Sequence, residues 1–173
     1  TLSNLGEPSP AEQSQGTGQA TVILNDDDFT LRVVTSFSGL TGNTTASHIH
    51  CCTPVAGAGS AGVATPIPSF PGFPLDVKSG AYDQTFDLSL ASSWNAAFIS
   101  ANGGSINAAF AAFSTGLAAG KAYLNIHTTF VRGGEIRAFL APVPVPGSVV
   151  LMVSGLAGLG ALVRRRSAAV AAA

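Results

Sequence analysis

The chain has 173 residues and a formal net charge of −1, and charged residues make up only 10% of it. One domain with short appendages is the natural organisation at this length. Three of the eight basic residues are Arg164, Arg165 and Arg166, so the rest of the chain is mildly acidic and has no electrostatic footprint for nucleic acid. Soluble domains usually carry about a quarter charged residues. The low charge, beside 46% hydrophobic residues, therefore indicates an exported protein with a polar, uncharged surface.

Residues 1–17 are rich in Pro, Ser, Gln and Glu and have no periodic apolar positions. This composition predicts a flexible leader. The chain starts at Thr1, without Met and without the charged and apolar regions of a signal peptide. Such a start is expected for a mature chain whose signal peptide has been removed, or for a sequence cut at an arbitrary boundary.

A short β-prone run over 19–24 and an alternating run over 29–37 predict the first strands of an antiparallel sheet, and Phe29, Leu31, Val33 and Phe37 share one face of the second strand. Residues 25–28 read Asn-Asp-Asp-Asp, which fits a hairpin turn because Asn and Asp are favoured in turns. The ligand spacing of an EF-hand calcium loop is absent. The segment 53–74 is rich in Gly and Pro. We expect this long connection to lie against the body of the domain as a lid.

A further strand is predicted over 82–90, with Phe86, Leu88 and Leu90 facing inward. The apolar spacing then becomes helical. The first helix is expected near Trp94, after Ser92 or Ser93 as N-cap and before Gly103-Gly104. A second helix is expected after Ser105, and strands return over 122–128 and 135–140.

Short strands separated by turns and interrupted once by two helices indicate a mainly β fold. We predict an antiparallel β-sandwich of Greek-key type, immunoglobulin-like or superoxide dismutase-like, with a two-helix insertion, over residues 18–141. A Pro-rich linker over 142–148 and a hydrophobic helix with an Arg cluster over 149–173 are expected to follow it.

All three histidines of the chain lie in two strand-like segments. Successive side chains of a strand point to opposite faces, so His48 and His50 share one face and Ile49 takes the other. Asn125 and His127 share a face in the same way. If the two strands are neighbours, the three imidazoles form a cluster on the outer side of a sheet, and such a set suits copper, zinc or nickel. The alternative is three ordinary solvent-face histidines.

Cys51 and Cys52 directly follow the first histidine pair and are the only cysteines. An exported setting oxidises thiols, which leaves a disulfide between the neighbours, pairing with another molecule, or thiolates offered to a metal. We favour the first, since no other Cys exists. A thiolate near the imidazoles would favour Cu(I), because sulfur is a soft ligand. The candidate metal ligands are thus His48, His50, His127, Cys51 and Cys52, with copper expected ahead of zinc.

Four segments of the sequence together resemble the CHRD domain, a module named after repeats in chordin and widespread in exported bacterial proteins. They are Leu24–Phe29, Ser47–His50, Ala122–Thr128 and Gly134–Arg137. The resemblance covers about residues 18–141. It implies a β-sandwich of extracytoplasmic type and no known reaction.

The C-terminal region is similar to the PEP-CTERM sorting signal. Pro144-Val145-Pro146 stands where that signal has Pro-Glu-Pro, and an apolar run over 149–163 precedes the three arginines. The run is short for a bilayer span, which needs roughly twenty residues, and the Arg cluster would stay cytoplasmic. The resemblance implies export, processing by an exosortase-type enzyme, and at least transient membrane contact through residues 149–166. The alternative is a C-terminal core helix.

Three functional hypotheses remain from the sequence. We favour an exported cell-surface or matrix binding protein that holds copper or another transition metal, with self-association or a matrix polysaccharide as candidate interactions. The second is a purely structural adhesion module in which the histidines are incidental. The third, a metalloenzyme of superoxide dismutase type, is disfavoured because those enzymes need more than three histidines. No Ser-His-Asp arrangement is recognisable either, so no catalytic residue is predicted.

Overall fold

The computed structural model describes residues 1–7 and 14–143, and residues Thr1–Pro142 form one compact unit. Within the described residues, strands account for most of the regular structure. The strands are β1 (Leu2–Ser3), β2 (Thr17–Asn25), β3 (Thr30–Ser38), β4 (Thr44–His50), β5 (Gly80–Asp87), β6 (Tyr123–Thr128) and β7 (Ile136–Phe139), and the helices are α1 (Ala96–Ala101) and α2 (Ile106–Ala118).

The seven strands form one curled antiparallel sheet, a half-barrel, in the order β4-β6-β7-β1-β2-β3-β5. The mainly β fold with two helices is as predicted, but the second sheet of a sandwich is not found among the described residues. Aromatic side chains from outside the sheet pack into the core instead. They come from the helical region and from the segment 53–74, and include Trp94, Phe98, Phe110, Phe113, Phe70 and Phe73.

The hairpin of β2 and β3 confirms the predicted turn. Oδ1 of Asn25 accepts hydrogen bonds from the backbone N–H groups of Asp27 and Asp28 at 3.0 and 3.2 Å. This is the local bonding that favours Asn in turns. Leu31 and Val33 of β3 are fully buried on the predicted face.

The first helix begins later than predicted. Residues Ala91–Ser93 form a 3₁₀ turn, and Oδ1 of Asn95 caps α1 by accepting from the N–H of Ala97 at 3.0 Å. Strand β5 ends at Asp87, which leaves Leu90 52% exposed rather than inward-facing. The predicted cap of the second helix is confirmed, because Oγ of Ser105 accepts from the N–H of Ala108 at 3.2 Å.

The expected leader, residues 1–17, takes part in the sheet at both of its ends. Strand β1 lies between β7 and β2, and Leu2 is fully buried in the core. Only two residues pair in β1, too few to give an alternating pattern in the sequence. Residues 8–13 of this segment lie outside the described residues.

The segment 53–74 covers the free edge of β4. The N–H groups of Ala64 and Phe70 donate to the carbonyls of Ile49 and Ser47 at 2.9 and 3.0 Å. An exposed strand edge invites pairing with other chains, and covering it removes that risk. Phe70 and Phe73 of the segment are buried, which confirms that it lies against the body of the domain.

The predicted C-terminal helix falls outside the described residues, since residues 144–173 are not described. The same holds for most of the linker, for the Pro-Val-Pro motif and for the Arg cluster. In the described part of the chain, neither α-helix combines the length and the hydropathy that a membrane span requires.

Candidate metal centre

Pairing of β4 with β6 brings the three histidines together. The register places His48 opposite Asn125, and Ala46 opposite His127, so the three imidazoles share one face of the sheet. One nitrogen from each of His48, His50 and His127 lies within 4.8 Å of the other two. The predicted cluster therefore exists, and it is assembled by the register of two strands that are far apart in the sequence.

The cluster is largely covered rather than spread on a solvent face. His48 and His50 are only 7% and 9% exposed, and His127 is half-buried. The cover over the first two rings is the segment 53–74, whose carbonyls at Ala61 and Pro68 contact them. The segment thus helps to build the centre.

Each imidazole is held by one backbone carbonyl. Nε2 of His48 lies 2.6 Å from the oxygen of Pro68, and Nδ1 of His50 lies 2.8 Å from that of Ala61. Nδ1 of His127 lies 2.8 Å from the oxygen of Arg132. A carbonyl oxygen can only accept, so each of these nitrogens must carry a proton. Metal-bound histidines usually show this kind of outer hydrogen bond, which fixes the tautomer and the ring orientation.

Among the residues that the structure describes, the second nitrogen of each imidazole has no backbone partner, and two of these nitrogens face each other. In a neutral imidazole the second nitrogen is an acceptor. Nδ1 of His48 and Nε2 of His127 are 3.2 Å apart, and Nε2 of His50 is buried without a hydrogen-bond partner in the described part of the chain. Three acceptors therefore converge on one region, an arrangement that a bound cation would satisfy.

An added proton is disfavoured at this centre. Burial lowers the pKa of His48 to about 4, more than the hydrogen bond to Pro68 raises it. Burial also lowers the pKa of His50 and of His127. The three rings are accordingly neutral at physiological pH, which is the protonation state that metal coordination requires.

Aromatic and cationic groups support the centre along the sheet. The ring of His50 stacks on Tyr123 with centroids 4.7 Å apart and planes 5° apart. The guanidinium of Arg137 lies 4.6 Å from the centroid of the Tyr123 ring. These contacts continue from β4 across β6 to β7 and restrict the orientation of the His50 ring.

The buried side chains of Glu7 and Asn125 lie close to Gly134. A Cβ at this glycine, whose φ is 130°, would meet Oε1 of Glu7 at 2.5 Å and Nδ2 of Asn125 at 2.9 Å. Oε2 of Glu7 lies 3.9 Å from Nε of Arg137. Burial raises the pKa of Glu7 to about 7, although Arg137 acts to lower it.

Glu135 anchors the turn between β6 and β7. Its fully buried carboxylate accepts from the hydroxyls of Ser14 and Thr128 at 2.6 Å each, and from the N–H groups of Thr41 and Gly42 at 2.7 and 3.1 Å. Burial alone would raise the pKa of Glu135, but these four hydrogen bonds hold it below its ordinary value. The same turn supplies the Arg132 carbonyl that orients His127.

The two cysteines are bonded to each other and are not free. Their sulfurs lie against Gly116 of α2, where a Cβ would collide with both. Neither sulfur belongs to the three-histidine group. The predicted disulfide between neighbours is therefore present, and the alternative in which Cys51 and Cys52 offer thiolates to the metal does not fit this state of the protein.

The fold and the histidine cluster together define a class of protein. The class is an all-antiparallel half-barrel with a histidine cluster under a long covering segment. The CHRD domain family matches residues 1–140, and the chain belongs to that family. No curated protein and no solved structure matches the chain.

Several parts of the centre are not recognisable in the sequence. Glu7 gives no signal, because it lies in a segment with the composition of a flexible leader. The three carbonyl partners are backbone groups and have no residue signature. Asn125 is on the predicted face of β6, and its position two residues before His127 in the alternation is the signal that could have placed it beside the histidines.

Proposed function

We propose that this CHRD domain binds one transition-metal ion through Nδ1 of His48 and Nε2 of both His50 and His127. The observation that carries the proposal is that one nitrogen from each of three imidazoles lies within 4.8 Å of the other two, while a backbone carbonyl holds the other nitrogen of each ring. Without a cation, two lone pairs face each other at 3.2 Å. A bound metal ion would satisfy all three acceptors at once.

The donor set favours Cu(II) or Zn(II) over Cu(I). Imidazole suits copper and zinc alike, whereas the preference for Cu(I) comes from thiolate or thioether ligands. Cys51 and Cys52 are paired with each other and contribute no thiolate. The sulfur-based reason for placing Cu(I) first therefore does not hold, and copper remains a candidate in its divalent form.

The setting we propose is the outside of the cell. The low charge of the chain, the apolar run over 149–163 and the arginines that follow it support an exported protein that contacts the membrane before processing. A disulfide supports the same setting, because disulfides persist mainly in oxidising compartments. In this proposal the domain is a binding module of the cell surface or matrix and has no catalytic activity.

The test is a metal titration of the purified, tag-free protein. Because the chain has only three histidines, any imidazole-bound metal must use them. Metal-free protein should take up one Zn(II) or Cu(II) per chain at neutral pH by isothermal titration calorimetry. The variants His48→Gln, His50→Gln and His127→Gln should each weaken binding by orders of magnitude, since three nitrogens act as one site.

A matched control addresses unspecific binding to acidic groups. Asp27 lies exposed in the acidic hairpin turn, and Asp27→Asn should leave the affinity and stoichiometry unchanged. Loss of binding in this control would place the metal in the turn. Absence of any heat with either ion would favour the structural module without a metal.

A further inference from the structure

Asn125 carries an unpartnered acceptor beside the histidine cluster. Its side chain is 2% exposed, and its Oδ1 has no hydrogen-bond partner in the described part of the chain. A buried carbonyl oxygen that makes no hydrogen bond costs free energy, on the order of 1–3 kcal/mol. Such a group in a native fold calls for an explanation, and a role as a metal ligand is one.

The register directs this oxygen towards the imidazoles. Asn125 is the cross-strand partner of His48 and shares the sheet face of His127, two residues further along β6. The side chain of Asn125 therefore lies on the face of the sheet that carries the three histidines.

The two ends of the amide have different surroundings. Nδ2 of Asn125 lies on the Gly134 side, where Oε1 of Glu7 also lies. No hydrogen bond joins these two groups, because Oε1 of Glu7 has no hydrogen-bond partner in the described part of the chain. The oxygen is the other end of the amide, and it is unpartnered like Nε2 of His50, a residue on the same face of the sheet.

We infer that Oδ1 of Asn125 is the fourth ligand of the metal ion held by His48, His50 and His127. The inference rests on the proposed function, because it assigns a further ligand to the same centre. Four protein ligands, three nitrogens and one amide oxygen, give a closed site of the structural type. A closed four-coordinate site leaves no position for a substrate, and the hard oxygen favours a divalent ion over Cu(I).

The experiment compares Asn125→Leu with Asn125→Asp. Leu keeps the branched shape and the number of side-chain heavy atoms but has no oxygen, whereas Asp keeps an oxygen in place and adds a negative charge opposite Arg137, the cross-strand neighbour on β7. Zn(II) titration gives the affinity and stoichiometry, and the visible absorption of the Co(II) form reports the ligand field. Thermal melting of the metal-free forms checks that each variant is folded.

We expect Asn125→Leu to bind one Zn(II) with an affinity at least 10-fold below that of the unsubstituted protein, and to change the Co(II) spectrum. Asn125→Asp should bind at least as tightly as the unsubstituted protein. An unchanged affinity and Co(II) spectrum in Asn125→Leu would overturn the assignment. If that variant does not fold, a weakened affinity in folded Asn125→Asp overturns it instead. If the unsubstituted protein binds neither Zn(II) nor Co(II), the proposed function itself is refuted. That result differs from the one that refutes only the role of Asn125.

Discussion

Nδ1 of His48 lies 3.2 Å from Nε2 of His127, across a sequence separation of 79 residues. Both nitrogens are acceptors, because the opposite nitrogen of each ring donates to a backbone carbonyl. Two acceptors at this separation repel each other, and a bound cation would remove that repulsion. The pairing of β4 with β6 brings these two nitrogens together, so the fold and the proposed function depend on the same strand pairing.

The first prediction concerns the pH dependence of stability without metal. The pKa of His48 is lowered to about 4 in the folded protein, and the ordinary value is about 6.5. A histidine whose pKa is lower in the folded protein contributes stability at pH values above its pKa in the unfolded protein. That contribution is lost as the pH falls towards its pKa in the folded protein. When the pH is lowered from 7.5 to 5, protonation of His48 in the unfolded state alone should lower the unfolding free energy by about 2 kcal/mol.

Urea denaturation at the two pH values measures this loss. The pKa of Glu7 is raised to about 7, so Glu7 has the opposite effect and its contribution is lost as pH rises from about 4.5 towards 7. A His48→Gln variant retains Glu7 and isolates the histidine contribution. Equal pH dependence in the variant and the unsubstituted protein would contradict the buried, neutral state of His48.

The second prediction concerns Glu135. Replacement by Gln keeps the shape of the side chain but turns one acceptor oxygen into a donor, facing the hydrogen-bond donors that the carboxylate now satisfies. We expect Glu135→Gln to lower the unfolding free energy by about 3 kcal/mol, because bonds to charged groups contribute the most. Metal affinity should fall too, since the turn orients His127. Asp27→Asn, at an exposed position, serves as the control. If Glu135→Gln lowers the unfolding free energy by no more than about 0.5 kcal/mol, as a substitution at an ordinary surface site does, Glu135 does not anchor the turn.

The third prediction concerns the contact between the disulfide and α2. A Cβ at Gly116 would collide with the sulfurs of both Cys51 and Cys52. Gly116→Ala should therefore destabilise the oxidised protein by about 1–3 kcal/mol, the usual cost of overpacking. Gly62→Ala is the control, because a Cβ at Gly62 meets nothing within 4 Å. A more stable Gly116→Ala protein would show that the helix gains more from alanine than the contact loses.

The fourth prediction concerns the C-terminal region. Residues Thr1–Pro142 form a compact unit by themselves, and the family match ends at residue 140. Deletion of residues 143–173 should leave the cooperative thermal melt unchanged and release the domain from the membrane fraction into the medium. Aggregation of the shortened protein, or loss of the cooperative melt, would instead assign these residues to the core.

Much of the sheet could be predicted because alternation is a local signal. The strands β2, β3, β4 and β6 follow from side chains that alternate between core and surface, and the histidine cluster follows from the same period. The hairpin turn and the Ser105 cap could be predicted for the same reason, because both depend on bonds between near neighbours in the sequence.

Long-range contacts explain what the sequence did not reveal. The insertion of β1 between β7 and β2 depends on a single buried residue, Leu2, at the start of a polar segment. Whether the core is closed by a second sheet or by helices depends on where Phe98 and Phe113 pack. The periodicity of a segment shows which side chains are buried, but it does not show which distant residues they contact. The carbonyls that orient the histidines are backbone groups, which every sequence contains.

The most direct test of the metal centre is an anomalous difference map from crystals grown with Zn(II) at neutral pH. A metal ion in the three-histidine centre should give one strong peak about 2.0–2.1 Å from Nδ1 of His48, Nε2 of His50 and Nε2 of His127. The three outer hydrogen bonds to Pro68, Ala61 and Arg132 should be retained in the same structure. A map with zinc only at surface carboxylates and none among the three imidazoles would contradict the account.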